Sequence, residues 1–306
     1  MRHFLDIREI QKVELREIIE DAKRLKLKRN GLRKGSKDID QTLSNFLVAL
    51  IFEKPSTRTR VSFDTGIYQL GGKSIVLFGS EMHLSKGESA YDNGKVLSSY
   101  VDMAMMRCFD HKFLLDFANS ASIPVINGLT NSSHPCQVMA DILTYEEVRG
   151  PIKGKTVVWV GDGNNVCRSY IHAAVKFEFK LVISCPIKFK PDNEIIGWAE
   201  SEGCTVDLEI NPLKAVEGAN LVVTDTHVSM HDISSSSERK ELLKFYQVNE
   251  KLMKNAEHDS LFMHCLPAYR GEEVTTNVID GSQSVVFEEA ENRLHVQKAI
   301  MRWCTN

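Results

Sequence analysis

Five consecutive residues, Ser56-Thr57-Arg58-Thr59-Arg60, set three hydroxyls and two guanidinium groups directly after the apolar run Phe46–Phe52. Val61, Phe63, Ile67 and Leu70 follow at helical spacing, so the cluster falls where a strand ends and a helix begins. The free N–H groups and aligned dipoles of a first helical turn favour an anion, and arginine forks match phosphate oxygens. On its own the cluster is explained equally well by a capped helix with two solvated arginines, because Pro55-Ser56 is an ordinary start signal. Arg58 lies in the first turn and Arg60 about 200° further round, which assigns the ligand to Arg58 and a structural ion pair to Arg60.

Companion residues decide between the two explanations. Arg107 closes the apolar run from Met103, and Asn131-Ser132-Ser133-His134-Pro135-Cys136-Gln137 opens a later helix. Alone, Arg107 reads as a salt bridge and His134 as a capping group. Gathered at several strand ends with hardly a carboxylate, these donors describe a pocket for a small, highly anionic ligand.

The second half offers a different chemistry. Gly161-Asp162-Gly163-Asn164-Asn165 follows an apolar run, but Val166 stands where a dinucleotide fingerprint needs its third glycine, and the next run ends in Cys185-Pro186 rather than an acid. A tight turn presenting an asparagine remains. Asp225, leading to Ser229-Met230, and His264-Cys265-Leu266-Pro267 end later apolar runs. Asn, Asp and Ser together can read an amino-acid head group. No feature places a base against Cys265, since His264 faces the opposite side of the strand, and an inert thiol is the commonest state. His227 and His231 lack a further ligand, so no metal site is expected, and no cofactor.

The elements that must position these residues alternate. Strands are expected near Leu47–Phe52, Ser74–Phe78, Met103–Arg107, Pro124–Asn127, Thr156–Val160, Leu181–Ser184, Leu221–Thr224, Leu261–His264 and Val285–Phe287. Helices are expected between them, including Pro135–Val148, one helix over Glu241–Asn255, and a final one over Ala290–Trp303 that carries Arg293. Repeated β-α-β implies an α/β fold of two domains, each a parallel sheet covered by helices on both faces. Gly150-Pro151 breaks the chain, giving domains of residues 1–149 and 150–289. For the terminal helix, about 290–306, packing back on the first domain is one arrangement, which the sequence does not fix.

A formal net charge of −3 gives no global drive toward nucleic acid. The basic run from Lys23 to Lys37 lacks interleaved aromatics and is broken by Gly31 and Gly35, which reads as a solvated loop. Seven scattered cysteines without a C-x-x-C pair suit a reducing cytosol, and no apolar run approaches bilayer length. A soluble cytoplasmic protein is therefore expected.

Phe52-Glu53-Lys54-Pro55-Ser56-Thr57-Arg58-Thr59-Arg60, His134-Pro135-Cys136-Gln137, Gly161–Val166, Asp225 with Ser229-Met230, and His264-Cys265-Leu266-Pro267-Ala268 together resemble the motif set of the ornithine carbamoyltransferases. The resemblance implies transfer of a carbamoyl group from carbamoyl phosphate to L-ornithine. It implies carbamoyl phosphate on Ser56, Thr57, Arg58, Thr59, Arg107, His134, Pro135, Cys136, Gln137, Cys265, Leu266 and Arg293, and ornithine on Asn165, Asp225, Ser229 and Met230. Arg107, His134, Asp225 and Cys265 take the catalytic roles. It also implies a homotrimer in which a loop near Glu81–Glu88 completes the neighbour's site. The chain departs from the family there, with His83 for Gln and Ser85 for Gly. Asp92-Asn93-Gly94 replaces Asp-Thr-Ala, and His231 follows Ser229-Met230 in place of Gly. A sibling enzyme using aspartate, putrescine or a modified ornithine would keep the first set and change the second, and a non-catalytic protein that binds carbamoyl phosphate is the remaining alternative, to which the departures at His83 and Asn93-Gly94 point.

Overall fold

The structure, a computed structural model, describes residues 1–79, 87–227 and 236–305. The first half of the chain forms α1 (Lys12–Leu27), β1 (Leu47–Phe52), α2 (Thr57–Gln69), β2 (Lys73–Phe78) and α3 (Ala90–Leu97). It continues with β3 (Met103–Arg107), α4 (His111–Ser120), β4 (Val125–Leu129) and α5 (Pro135–Arg149). The second half runs β5 (Thr156–Val160), α6 (Asn165–Phe177), β6 (Lys180–Ser184), α7 (Asn193–Ser201), β7 (Val206–Leu208), α8 (Pro212–Ala215) and β8 (Leu221–Thr224). Then come α9 (Ser236–Leu243), α10 (Glu250–Met253), β9 (Leu261–His264), α11 (Thr276–Ile279) and α12 (Val286–Thr305). Two compact units result: Met1–Leu143 with Glu291–Asn306, and Thr144–Ala290. The end of α12, with Arg293, thus belongs to the first unit.

Both sheets are wholly parallel. The first has the order β2-β1-β3-β4 and the second β7-β6-β5-β8-β9. In each the chain works outward on one side and then returns to the other side of its starting strand. The reversals fall between β1 and β3, and between β5 and β8. Crevices beyond the carboxyl ends of strands at such reversals are where open α/β sheets bind ligands.

Sequence dictates the strands through unbroken apolar runs. Val48 to Phe52 and Met103 to Met106 are buried throughout, as a sheet covered on both faces requires. Ala49, Ile51, Ala104, Met106, Phe117 and Val125 share one core, and Val158, Val160, Val222, Val248 and Phe262 share another. The Asn93-Gly94 departure is accommodated by packing: a Cβ on Gly94 would lie 2.0 Å from Ser120 Oγ and 2.7 Å from the Phe117 carbonyl, so α3 closes directly on α4.

Two expected elements differ, and one strand was not expected. The helix expected over Glu241–Asn255 is broken, because the Val248 N–H donates to the Glu273 carbonyl (2.8 Å) and its own carbonyl accepts from Thr275 (3.0 Å), after which Asn249 caps α10. The strand expected at Val285–Phe287 is the start of α12; only Ser284 bridges Phe262 before the chain turns helical. Strand β7 escaped prediction because three residues carry too little periodicity. The basic run is not simply solvated, since Arg29 is buried. No helix among the described residues is long and apolar enough to cross a membrane.

Candidate active site

In the first unit Phe52 and Arg107 are register partners at the ends of β1 and β3, beside the reversal. The β3–β4 register slips between Met106 and Arg107, an irregularity of the kind that re-aims a side chain. Arg107 Nη1 donates to Thr59 Oγ1 at 3.3 Å, and from α12 Arg293 Nη2 donates to the same oxygen at 2.9 Å. Thr59 is fully buried and Arg293 nearly so. Two guanidinium groups thus converge on one point, and an anion placed beside them is attracted by both.

His134 is buried just before α5 and its carbonyl accepts from the Gln137 N–H at 3.2 Å. Burial, then the Arg293 and Arg107 charges, hold its pKa well below the ordinary histidine range, so the imidazole is neutral and can donate or accept without adding charge. Gln137 Nε2 donates to buried Asp141 Oδ1 at 2.8 Å, which turns Oε1 away from that carboxylate. Cys136 spends its thiol on the Asn127 carbonyl (3.3 Å) and burial pushes its pKa up to about 12; this side chain, behind Pro135, offers a ligand only its backbone. Ser56 holds the capping position of α2 yet makes no side-chain cap bond. Thr57 is exposed and Arg58 half-buried in the first turn. Arg60 makes no ion pair among the described residues; its guanidinium lies 5.6 Å from the Phe78 ring centroid, correcting the expected ion pair.

In the second unit the turn after β5 is tight because a Cβ on Gly163 would meet the Phe189 carbonyl at 2.4 Å. Asn164 caps α6, its Oδ1 accepting from the Val166 and Cys167 N–H groups (2.9 and 3.1 Å). Its Nδ2 donates to Asp225 Oδ2 at 2.8 Å. Asp225 Oδ1 in turn accepts from the Thr226 N–H (2.7 Å) and from Cys265 Sγ (3.2 Å). Asn165 starts α6 next to this chain of contacts and accepts from Ser169 Oγ through its carbonyl. The carboxylate, not His264, therefore faces the thiol.

His264 is wholly buried and committed elsewhere. Its Nδ1 accepts from the Leu266 N–H at 2.9 Å, which leaves the proton on Nε2, 3.1 Å from Glu273 Oε1. Leu266 adopts a left-handed φ of 56° and precedes a cis peptide bond to Pro267. Ligand atoms of Asp225, His264 and Cys265 lie within 4.8 Å of one another, but with both imidazole nitrogens engaged the group is not a ready cation site. Asn164, Glu273 and Glu289, which accepts the His264 N–H, went unrecognised in the sequence. Only Asn164, inside a motif, carried a signal. Ser229 and Met230, and His83 and Ser85, lie outside the described residues.

His227, just beyond β8, is buried, and its Nε2 has no hydrogen-bond partner among the described residues. Burial lowers its pKa to about 4 against the opposing pull of Glu273, Glu272 and Asp225. Between pH 6.5 and about 4 the unfolded chain therefore takes up a proton that the folded one refuses, and stability is lost as pH falls through that window. Thermal denaturation at pH 7 and pH 5 checks this: the midpoint drops in the wild type and drops less in His227→Gln.

Residues 2–147 match the family model for the aspartate/ornithine carbamoyltransferase carbamoyl-P binding domain, and residues 153–304 match that for the Asp/Orn binding domain. The chain belongs to the aspartate/ornithine carbamoyltransferase family. It is 57% identical over 305 residues to an ornithine carbamoyltransferase of Ruegeria pomeroyi, covering 99% of both chains. Among solved structures it superposes on the ornithine carbamoyltransferase of Pyrococcus furiosus with a TM-score of 0.92 at 43% identity, covering 98% of this chain and 96% of that one. An anabolic ornithine carbamoyltransferase of Campylobacter jejuni gives 0.91 at 35%, covering 100% and 99%. In this carbamoyltransferase chain each family domain thus contains one sheet, and each sheet has one polar cluster at its reversal.

Proposed function

We propose that this protein transfers the carbamoyl group of carbamoyl phosphate to the δ-amine of L-ornithine, giving L-citrulline and phosphate. What carries the assignment is two guanidinium groups converging on one buried hydroxyl beside a neutral histidine, in the unit matched by the carbamoyl-P domain. Ser56, Thr57, Arg58 and the start of α2 hold the phosphate, with Arg293 and the backbone of Pro135 and Cys136 alongside. Gln137 reads the carbamoyl amide with Oε1. Arg107, Thr59 and His134 donate to the carbonyl oxygen as negative charge builds on it, an oxyanion-hole role.

Free ornithine carries a lysine-like ammonium with a pKa of about 10, so it must shed a proton before or during attack. Asp225 and Cys265 orient that nitrogen, while Asn165, Ser229 and Met230 bind the amino-acid end. The leaving phosphate accepts the second proton, and no covalent enzyme intermediate is needed; positioning supplies much of the acceleration.

A homotrimer is supported by apolar side chains left exposed on the first unit: Val61 on α2, Ile75 on edge strand β2, and Tyr91 and Val96 on α3. Seven cysteines, none of them in a disulfide, support a cytoplasmic setting, and the anabolic relative from Campylobacter jejuni supports a role in arginine biosynthesis. Rates measured with ornithine, aspartate, putrescine and N-acetylornithine as acceptors test the assignment. Ornithine is expected to lead by orders of magnitude; another acceptor leading would make the chain a sibling enzyme.

A further inference from the structure

The basic run after α1 and the far half of α12 form a buried charge cluster that the chemistry above does not use. Lys298 has no exposed side-chain surface, pairs with the Asp38 carboxylate and donates to Gln69 Oε1 at 3.0 Å. The other Asp38 oxygen pairs with Arg29, which is almost fully buried. Arg29 also donates to the carbonyls of Ser36 (3.0 Å) and Arg33 (2.8 Å), winding the loop around its own guanidinium. Gln69 Nε2 closes the circuit on the Lys34 carbonyl at 2.8 Å. A run that reads as solvated in the sequence is thus tied to α2 and α12 at once.

The same two helices meet at the anion site. Helix α2 contributes Thr59 near its start and Gln69 as its last residue; α12 contributes Arg293 to the first and Lys298 to the second. Between the two ties Gly66 lets α12 close in, since a Cβ there would stand 3.1 Å from Lys298 Cγ. Burying a lysine, an arginine and a carboxylate is a poor route to stability, because desolvation offsets most of the Coulomb gain and a well-packed apolar residue does as well. What directional bonds supply and apolar contacts do not is a fixed register.

We propose that Lys298 is a positioning residue: held by Asp38 and Gln69, it sets the register of α12 on α2 and so keeps Arg293 on Thr59 at the anion site. The ligand's identity rests on the proposed function; the geometric claim does not.

Lys298→Met keeps the buried stem and leaves Asp38 paired with Arg29. In the full-length enzyme it should raise KM for carbamoyl phosphate about tenfold, or ~1.4 kcal/mol, with KM for ornithine within about twofold. Combined with Arg293→Gln it should add nothing further, as expected of two residues acting in series. Gln69→Leu, which leaves the ion pairs whole, should shift the same KM in the same direction and serves if Lys298→Met fails to fold. An unchanged KM for carbamoyl phosphate beside a lowered melting temperature would show a purely structural role and overturn the proposal, as would equal effects of Lys298→Met with and without Arg293. Should the wild type make no citrulline, the functional assignment falls and the cycle is read by calorimetric titration with inorganic phosphate. There Lys298→Met must still weaken binding about tenfold for the register claim to stand.

Discussion

Arg107→Gln is expected to lower citrulline turnover at saturating substrates by about 10²–10³-fold, the usual cost of one oxyanion donor. Arg107 stands where the β3–β4 register slips, and its Nη1 shares Thr59 Oγ1 with Arg293. Phosphate binding survives in this variant, because the first turn of α2 and Arg293 remain. Its fold survives as well, because Arg293 still donates to buried Thr59 Oγ1 when the Arg107 contact is lost. The expected signature is therefore a large fall in kcat, a modest change in KM for carbamoyl phosphate, and a cooperative melting transition within a few degrees of the wild type. Steady-state kinetics with differential scanning calorimetry reads all three. A kcat within a few-fold of the wild type would remove Arg107 from the chemistry.

Asp225→Ala is expected to act on the other substrate alone. The carboxylate accepts from Asn164, from the Thr226 N–H and from Cys265, so it is the hub of the second cluster. A hydrogen bond to a charged group is worth about 1.5–3 kcal/mol, so loss of this acceptor lowers kcat/KM for ornithine by up to about 150-fold. Carbamoyl phosphate should bind as tightly as before when titrated by calorimetry, since none of its first-unit groups is touched. Weakened carbamoyl phosphate binding with normal use of ornithine would reverse the assignment of substrates to units.

Much of this was legible in the sequence because local signals were strong and agreed. The run Leu47–Phe52 followed by Ser56 and helical spacing specified β1, the turn and α2 without tertiary help, and Arg107 and His134 stood at strand and helix ends. Long-range pairing was not legible. Nothing in Lys298, two turns from the end of α12, announces Asp38 as its partner, and nothing in Glu273 announces His264. The Glu241–Asn255 pattern looked like one helix because periodicity ignores the bond from Val248 to Glu273 that breaks it. Cys136 marks a different limit. It lay inside a recognised motif, yet its thiol faces the Asn127 carbonyl, and motif membership alone does not tell a side-chain contact from a backbone one.

Carbamoyl transfer to ornithine is tested most directly with carbamoyl phosphate labelled with carbon-13 and followed by NMR in the presence of ornithine and wild-type protein. The label is expected to pass into the ureido carbon of citrulline in step with phosphate release. Label found only in cyanate, carbamate and bicarbonate, at the rate seen without protein, would contradict the account.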